Sequence, residues 1–172
     1  ATITTELPEG TTVEYKVGNG EWTTEVPSVK DVDSIEVEIR ATNANYTIEG
    51  TKVTLTVIQK EVTVTGNNGS KVYGEKDPEL TAKVEGNLNN DEIVYTVSRE
   101  AGDNVKKYAV IPAGAENQGN YHVTYVNGTF EITPASLKLE AEGYNAAYDG
   151  AEHTATITTE LPEGTTVEYK VG

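Results

Sequence analysis

The thiol and imidazole side chains that many catalytic and metal-binding sites use are absent or rare in this sequence. Cysteine is absent, and the two histidines are His122 and His153. Without cysteine there is no thiolate nucleophile and no thiolate metal ligand, and two histidines alone cannot complete a histidine-based metal centre. The serines lie in no nucleophile-elbow pattern, and the glycines lie in no phosphate-binding loop. The sequence therefore predicts no catalytic residue, no cofactor and no enzymatic activity.

Two short acidic runs are the candidates for a calcium site. One contains Asp31 and Asp33, and the other ends with Asp91 and Glu92. Carboxylate oxygens are ligands that Ca²⁺ prefers, but neither run has the ligand spacing or the turn glycine of a calcium loop. We therefore predict solvated acidic loops and no metal site, with these four side chains as the metal-binding alternative.

Trp22 is the candidate for ligand binding. It is the single tryptophan of the chain, and an exposed ring at this position could stack on a sugar. A large aromatic side chain usually buries much of its area against a core or a neighbouring domain. We favour packing for Trp22, and a carbohydrate- or protein-binding module is the alternative.

The charge of the chain disfavours two classes of partner. Thirteen basic side chains against 28 acidic ones give a net charge of −15. This charge repels nucleic acid and anionic lipid surfaces. No apolar run approaches the ~20 residues of a membrane-spanning helix. We expect no nucleic-acid partner and no membrane insertion.

The first 18 residues of the sequence are repeated without change at its end. Residues 1–18 and residues 155–172 both read ATITTELPEGTTVEYKVG, which sets an offset of 154 residues. A tandem array with a 154-residue unit is the simplest account, and a duplication introduced by cloning is the alternative. Long identical repeats are typical of proteins in which length is useful, so the repeat favours a spacer.

Strict alternation of apolar and polar residues dominates the chain. Residues 35–39 and 51–57 place Val, Ile and Leu on one face and hydroxyl or charged side chains on the other, as half-buried strands do. Turn residues separate the strands, and Asn127-Gly128 is a strong signal for a two-residue hairpin. Lys52 and Lys138 alternate with apolar neighbours, so we expect them to face solvent and form no isopeptide cross-link. The pattern predicts an all-β fold with two small antiparallel β-sandwich domains per repeat.

Two direct strand-to-strand connections divide the repeat. The predicted inter-domain linker residues are Ile58, Gln59, Lys60, Thr133, Pro134 and Ala135. Pro134 stiffens its connection because its ring fixes the backbone. The chain then divides into residues 1–59, 60–134 and 135–172, and the two outer parts belong to one type of domain that the repeat boundary interrupts.

The middle part carries a series of short motifs in a fixed order. Residues 72–81 read VYGEKDPELT, and VEG, YAV, GNY and TFEI follow at 84–86, 108–110, 119–121 and 129–132. This series resembles the MBG domain of the YGX type over residues 60–134. Lys106-Lys107 departs from the family, which usually carries a glycine before the tyrosine.

The outer parts resemble Ig-like repeats of Gram-positive surface proteins. Residues 148–154 read YDGAEHT, an opening of the Tyr-Asp-Gly-x-x-His-Thr type. The resemblance implies an Ig-like fold and an extracellular stalk of tandem modules in a cell-surface adhesin, attached to the cell wall through other parts of the protein.

These observations together predict a structural stalk repeat of a bacterial adhesin or surface fibre that projects a distal binding region. The expected partners are neighbouring copies of the same repeat, head to tail, and the host or surface ligand would bind elsewhere on the parent protein. In an isolated chain we expect Ile35, Val37 and Ile39 to be covered by residues 136–150 of a neighbouring chain, because the opening strands of their own domain lie beyond the middle part.

Overall fold

The all-β prediction is confirmed by a computed structural model that describes residues 4–170. The strands are β1 (Thr12–Val17), β2 (Asp33–Thr42), β3 (Thr51–Val57), β4 (Lys60–Gly66), β5 (Gly69–Val72), β6 (Ala82–Glu85), β7 (Thr96–Arg99), β8 (Lys107–Ala113), β9 (Asn117–Gln118), β10 (Tyr121–Val126), β11 (Gly128–Thr133), β12 (Ala141–Glu142) and β13 (Thr156–Ile157). They form four sheets, with the strand orders β1-β2-β3, β6-β4-β10-β9, β5-β11-β8-β7 and β12-β13.

The first sheet is antiparallel and consists of a single layer. Val37 of β2 pairs with Val17 of β1 and with Val53 of β3, so the apolar positions of the three strands share one face. Val37 is fully buried within the chain itself, and Ile35 and Ile39 are half-buried. Val37 therefore needs no neighbouring chain to be covered, and the additional cover over the two isoleucines stays a prediction.

The middle part is built from the two four-stranded sheets. Alternate residues of their strands, together with Ile93 from the connection between β6 and β7, form two groups of buried side chains. The first group is Val62, Val64, Ile93, Tyr121 and Val123, and the second is Tyr108, Val110, Phe130 and Ile132. Burying each of these side chains stabilises the fold by roughly 1.5–3 kcal/mol.

The prediction of a hairpin at Asn127-Gly128 was wrong. β10 lies in one sheet and β11 in the other, so the chain crosses between sheets at Asn127. β10 instead pairs in parallel with β4, and β11 pairs in parallel with β5. The connection between β4 and β5 crosses in the same way, and the two crossings touch through the backbones of Gly66 and Gly128. The remaining strand pairs are antiparallel, as predicted.

The chain enters and leaves the middle part at opposite ends. The positions of β10 and β11 along the domain can be compared through their contacts with the antiparallel pair β7–β8 and the residues just before it. Val94, just before β7, bonds to Gln118, which pairs with Tyr121 at the start of β10. Farther along β7, beyond its first residue, Arg99 lies opposite Val110 of β8. Val110 also pairs with Gly128 at the start of β11, and Lys107 pairs with Glu131 near its end. β11 therefore continues away from the start of β10, which places Lys60 and Thr133 at opposite ends. We call these the Lys60 end and the Thr133 end.

The last part of the described chain has little regular structure. β12 and β13 form a two-stranded ribbon of two residue pairs, and Leu137 and Leu139 are exposed. The motif at residues 148–154 forms a local turn in which Asp149 accepts hydrogen bonds from the Ala151 backbone and from Tyr144. His153 stacks on the Tyr144 ring and lies 2.9 Å from Asp149.

Candidate functional site

Four charged side chains converge at the Thr133 end of the middle part. Lys71 lies on the inner face of the short strand β5, and Arg99 is the last residue of β7. Asp77 lies in the loop that follows the Tyr-Gly motif, and Asp103 lies in the β7–β8 loop. Lys71 Nζ lies 2.7 Å from Asp77 and 3.1 Å from Asp103, although Lys71 is buried. Arg99 binds both carboxylates as well. We call these four residues the charge cluster.

Arg99 also ties the charge cluster to the core and to the β7–β8 loop. Its Nη1 donates hydrogen bonds to the carbonyls of Glu100 and Gly102, at 2.8 and 2.7 Å. Its guanidinium lies over the rings of Tyr108 and Phe130, at 5.2 and 5.3 Å from the ring centroids. These cation–π contacts place the charge directly on the second group of buried side chains. The cluster therefore fixes two loops onto the hydrophobic core.

Asp77, Lys71 and Arg99 of the charge cluster stay ionised at neutral pH, because each shifts the pKa of its partners toward the charged form. A hydrogen bond from Arg99, and a smaller contribution from the hydrogen bond of Lys71, lower the pKa of Asp77 from 3.8 to about 2. Asp77 in turn raises the pKa of Lys71 and of Arg99. A general acid or base needs a pKa near the working pH, so these groups suit structural bonding and not proton transfer.

The substitution Asp77→Asn is expected to lower the melting temperature of the middle part at pH 7. The folded state holds the pKa of Asp77 below its ordinary value, so the carboxylate contributes its full stabilisation above about pH 3.8 and loses it as the pH falls to about 2. The difference in melting temperature between wild type and variant should therefore shrink across this window. Glu92→Gln, at an exposed loop position, is the control. A difference that persists unchanged at pH 2 would contradict this role of the charge.

Trp22 packs on the polar face of the first sheet. Its ring is half-buried, 4.2 Å from Arg40 Cζ and 5.1 Å from Lys16 Nζ. Both cations are themselves paired, Arg40 with Glu14 at 2.8 Å and Lys16 with Glu38 at 2.5 Å. The cation-facing surface of the ring is thus used within the sheet. The choice between packing and ligand binding at Trp22 stays a prediction.

Three of the four candidate metal ligands accept hydrogen bonds from different protein groups, and the fourth is exposed. Asp31 accepts a bond from the Asn120 amide at 2.8 Å, and Asp33 accepts one from the Ser34 backbone at 2.7 Å. Asp91 accepts the hydroxyl of Tyr121 at 2.5 Å, and Glu92 lies exposed beside it. Within residues 4–170 no group of three or more His, Asp or Glu side chains is placed to hold a metal ion.

The first predicted linker is bonded to the Lys60 end. The Gln59 side chain donates to the carbonyls of Gly119 and Tyr121, both at 3.2 Å. The backbone N–H of Lys60 donates to the Asn120 carbonyl at 2.9 Å. The Asn120 side chain accepts a bond from the Val32 backbone at 2.8 Å, in addition to its bond with Asp31. We call these contacts the linker clasp. The Ile58 side chain beside it is exposed.

The second predicted linker leaves from the Thr133 end. The Thr133 carbonyl accepts a bond from the Tyr73 backbone at 2.8 Å, and its hydroxyl donates to the Lys71 carbonyl at 3.3 Å. Pro134 and Ala135 then pass a shallow surface depression that Tyr73 and Val105 also line. The Tyr-Gly motif thus lies where the chain leaves the middle part.

Comparison with known proteins identifies the middle part. Residues 62–131 match the MBG domain (YGX type) family. No curated protein and no solved structure matches the chain significantly. Within residues 4–170 no helix is long and apolar enough to cross a membrane. The MBG domain is a non-catalytic, surface-type domain, and the resemblance of the outer parts to Ig-like repeats is compatible with this match. The chain therefore contains an MBG domain of the YGX type, which points to a bacterial surface repeat protein.

Proposed function

We propose that this chain is a structural stalk repeat of an extracellular bacterial adhesin or surface fibre. The observation that carries the proposal is that the chain enters the MBG domain at Lys60 and leaves it at Thr133, at the opposite end. A domain threaded in this way adds its full length to a tandem array. A domain with both connections at one end would add little.

The linker clasp supports a stiff connection at the Lys60 end. Strand β3 ends at Val57 and β4 begins at Lys60, so Ile58 and Gln59 are the two residues between them. Gln59 is bonded to the MBG domain, and Asn120 reaches back to Asp31 and to the Val32 backbone of the preceding part. A connection this short and bonded on both sides has few conformations to lose, so it favours a fixed angle between the neighbouring parts.

The outer parts support the proposed division into residues 1–59, 60–134 and 135–172. In a tandem array, residues 135–172 continue into a sequence of the same type as residues 19–59. The exposed Leu137 and Leu139 and the half-buried Ile35 and Ile39 would then cover one another in one Ig-like module. Burial of such apolar surface contributes about 25 cal/mol per Å². The partners of each repeat are then its neighbours in the array, head to tail.

The net charge supports an extended surface role. At −15 per chain, neighbouring stalks repel one another and stay separate. In this proposal the distal ligand and the attachment to the cell wall belong to other parts of the parent protein.

The distance between the two ends of the MBG domain tests this proposal. Because the chain contains no cysteine, spin labels attach only at Ile58→Cys and Ser136→Cys, both at exposed positions. Twelve to thirteen extended residues separate the two ends, so the labels should lie roughly 40 Å apart. The matched pair Ile58→Cys and Glu116→Cys has both labels at the Lys60 end and should give a much shorter distance. A distance below about 20 Å for the first pair would overturn the proposal.

A further inference from the structure

We propose that the MBG domain contains a mechanical clamp that resists force applied along the stalk. The clamp is the pair of parallel ladders, β4 with β10 and β5 with β11. The clamp extends the proposed function, because the direction of the force follows from the chain being part of a stalk.

The two ladders join the first strands of the domain to the last ones. Six residue pairs connect β4 with β10, from Lys60–Tyr121 to Thr65–Val126. Four pairs connect β5 with β11, from Gly69–Phe130 to Val72–Thr133. A pull on the array acts on the domain at Lys60 and at Thr133. The force therefore passes from the first strands to the last strands directly through these ladders.

Parallel pairing decides how the hydrogen bonds are loaded. A pull at Lys60 moves β4 away from the Thr133 end, while a pull at Thr133 moves β10 and β11 the other way. The strands are displaced along their own length, across the evenly spaced, slanted hydrogen bonds of a parallel ladder. All the bonds of a ladder then share the load and must break together. A pull on two points at one end would instead open the pairs one after another.

The core and the sheet crossings resist the same sliding motion. The inner faces of β4 and β10 carry Val62, Val64 and Val123, which are all buried. At the crossings, an atom added at Gly66 would lie 2.9 Å from the Gly128 nitrogen and 2.9 Å from the Val110 carbonyl oxygen. Because the backbones are in contact there, β4 cannot slide past β11 without separating the crossings.

The charge cluster holds β5, the second strand of the force path. Lys71 lies on β5, and its ammonium group is bonded to Asp77 and Asp103 at the Thr133 end. Displacing β5 toward the Lys60 end would draw this buried cation away from both carboxylates. Leaving a buried charge without its partners is costly, so the cluster adds resistance in the pulling direction.

Single-molecule pulling of the folded chain in two directions tests the clamp. Handles at Ile58→Cys and Ser136→Cys load the ladders in shear, and handles at Ile58→Cys and Glu116→Cys peel the strands apart from the Lys60 end. The same domain should rupture at a several-fold higher force in the first geometry. Circular dichroism of both variants verifies that the fold is retained.

The outcomes separate the clamp from the stalk. Equal rupture forces in the two geometries, or a higher force in the peeling geometry, would overturn the clamp. If the spin labels at the same Ile58 and Ser136 positions still lie far apart, the stalk proposal stands without the clamp. A short label distance would overturn the stalk proposal whatever the rupture forces.

Discussion

Replacing Gly128 with alanine is expected to destabilise the MBG domain by about 3 kcal/mol, the upper end of the cost of overpacking. A Cβ atom at this position would collide with the Gly66 carbonyl oxygen, and it would lie 2.7 Å from the Gly66 carbonyl carbon and 3.1 Å from the Asn67 oxygen. All three atoms belong to the backbone of the other sheet crossing, so no side chain can rotate away. For a domain of this size the melting temperature should fall by more than about 10 °C.

Gly143→Ala is the matched control for this substitution. Gly143 lies in the last part of the chain, and a Cβ atom there meets nothing within 4 Å. At such a site alanine is neutral or slightly stabilising, because it restricts the unfolded chain. Thermal unfolding followed by circular dichroism should therefore separate the two variants clearly. If Gly128→Ala had the same melting temperature as the wild type, the contact between the two crossings would be wrong. The parallel pairing of the strands that the crossings join would then be wrong as well.

The duplicated sequence shows what local sequence can predict. The turn at Pro8–Thr11 returns at Pro162–Thr165 with the same two hydrogen bonds to the proline carbonyl, at 3.2 and 2.7 Å in both copies. Gly10 and Gly164 adopt the same left-handed conformation, with φ of 77° and 82°. These turns form in both places because all their bonds lie within four residues.

The strand that follows this turn depends on a distant partner. In the first copy, residues 12–17 form β1 against β2, and Tyr15 is 6% exposed. In the second copy, residues 166–170 form no strand, and the identical Tyr169 is 68% exposed. A strand satisfies its backbone groups only on a neighbour. Alternation therefore predicts which residues can form a strand, and the partner decides whether they do.

The same reason explains the wrong hairpin and the missed charge cluster. Asn127-Gly128 suits a sharp change of direction, but β10 and β11 pair with strands that lie about 60 residues earlier. The cluster unites side chains from β5, β7 and two loops, so no spacing in the sequence brings them together. The motif that carries Asp77 was recognisable as a family signature. Its ionic role becomes apparent only when Lys71 and Arg99 are placed beside it.

Small-angle X-ray scattering of one, two and three tandem repeats measures whether the repeats extend the protein as a stiff rod. With two domains of roughly 30–40 Å, each repeat should add on the order of 70 Å to the maximum dimension. For a stiff rod we expect a linear increase of this dimension with repeat number and a constant cross-section. A maximum dimension that barely grows with repeat number, with a compact globular profile, would contradict it.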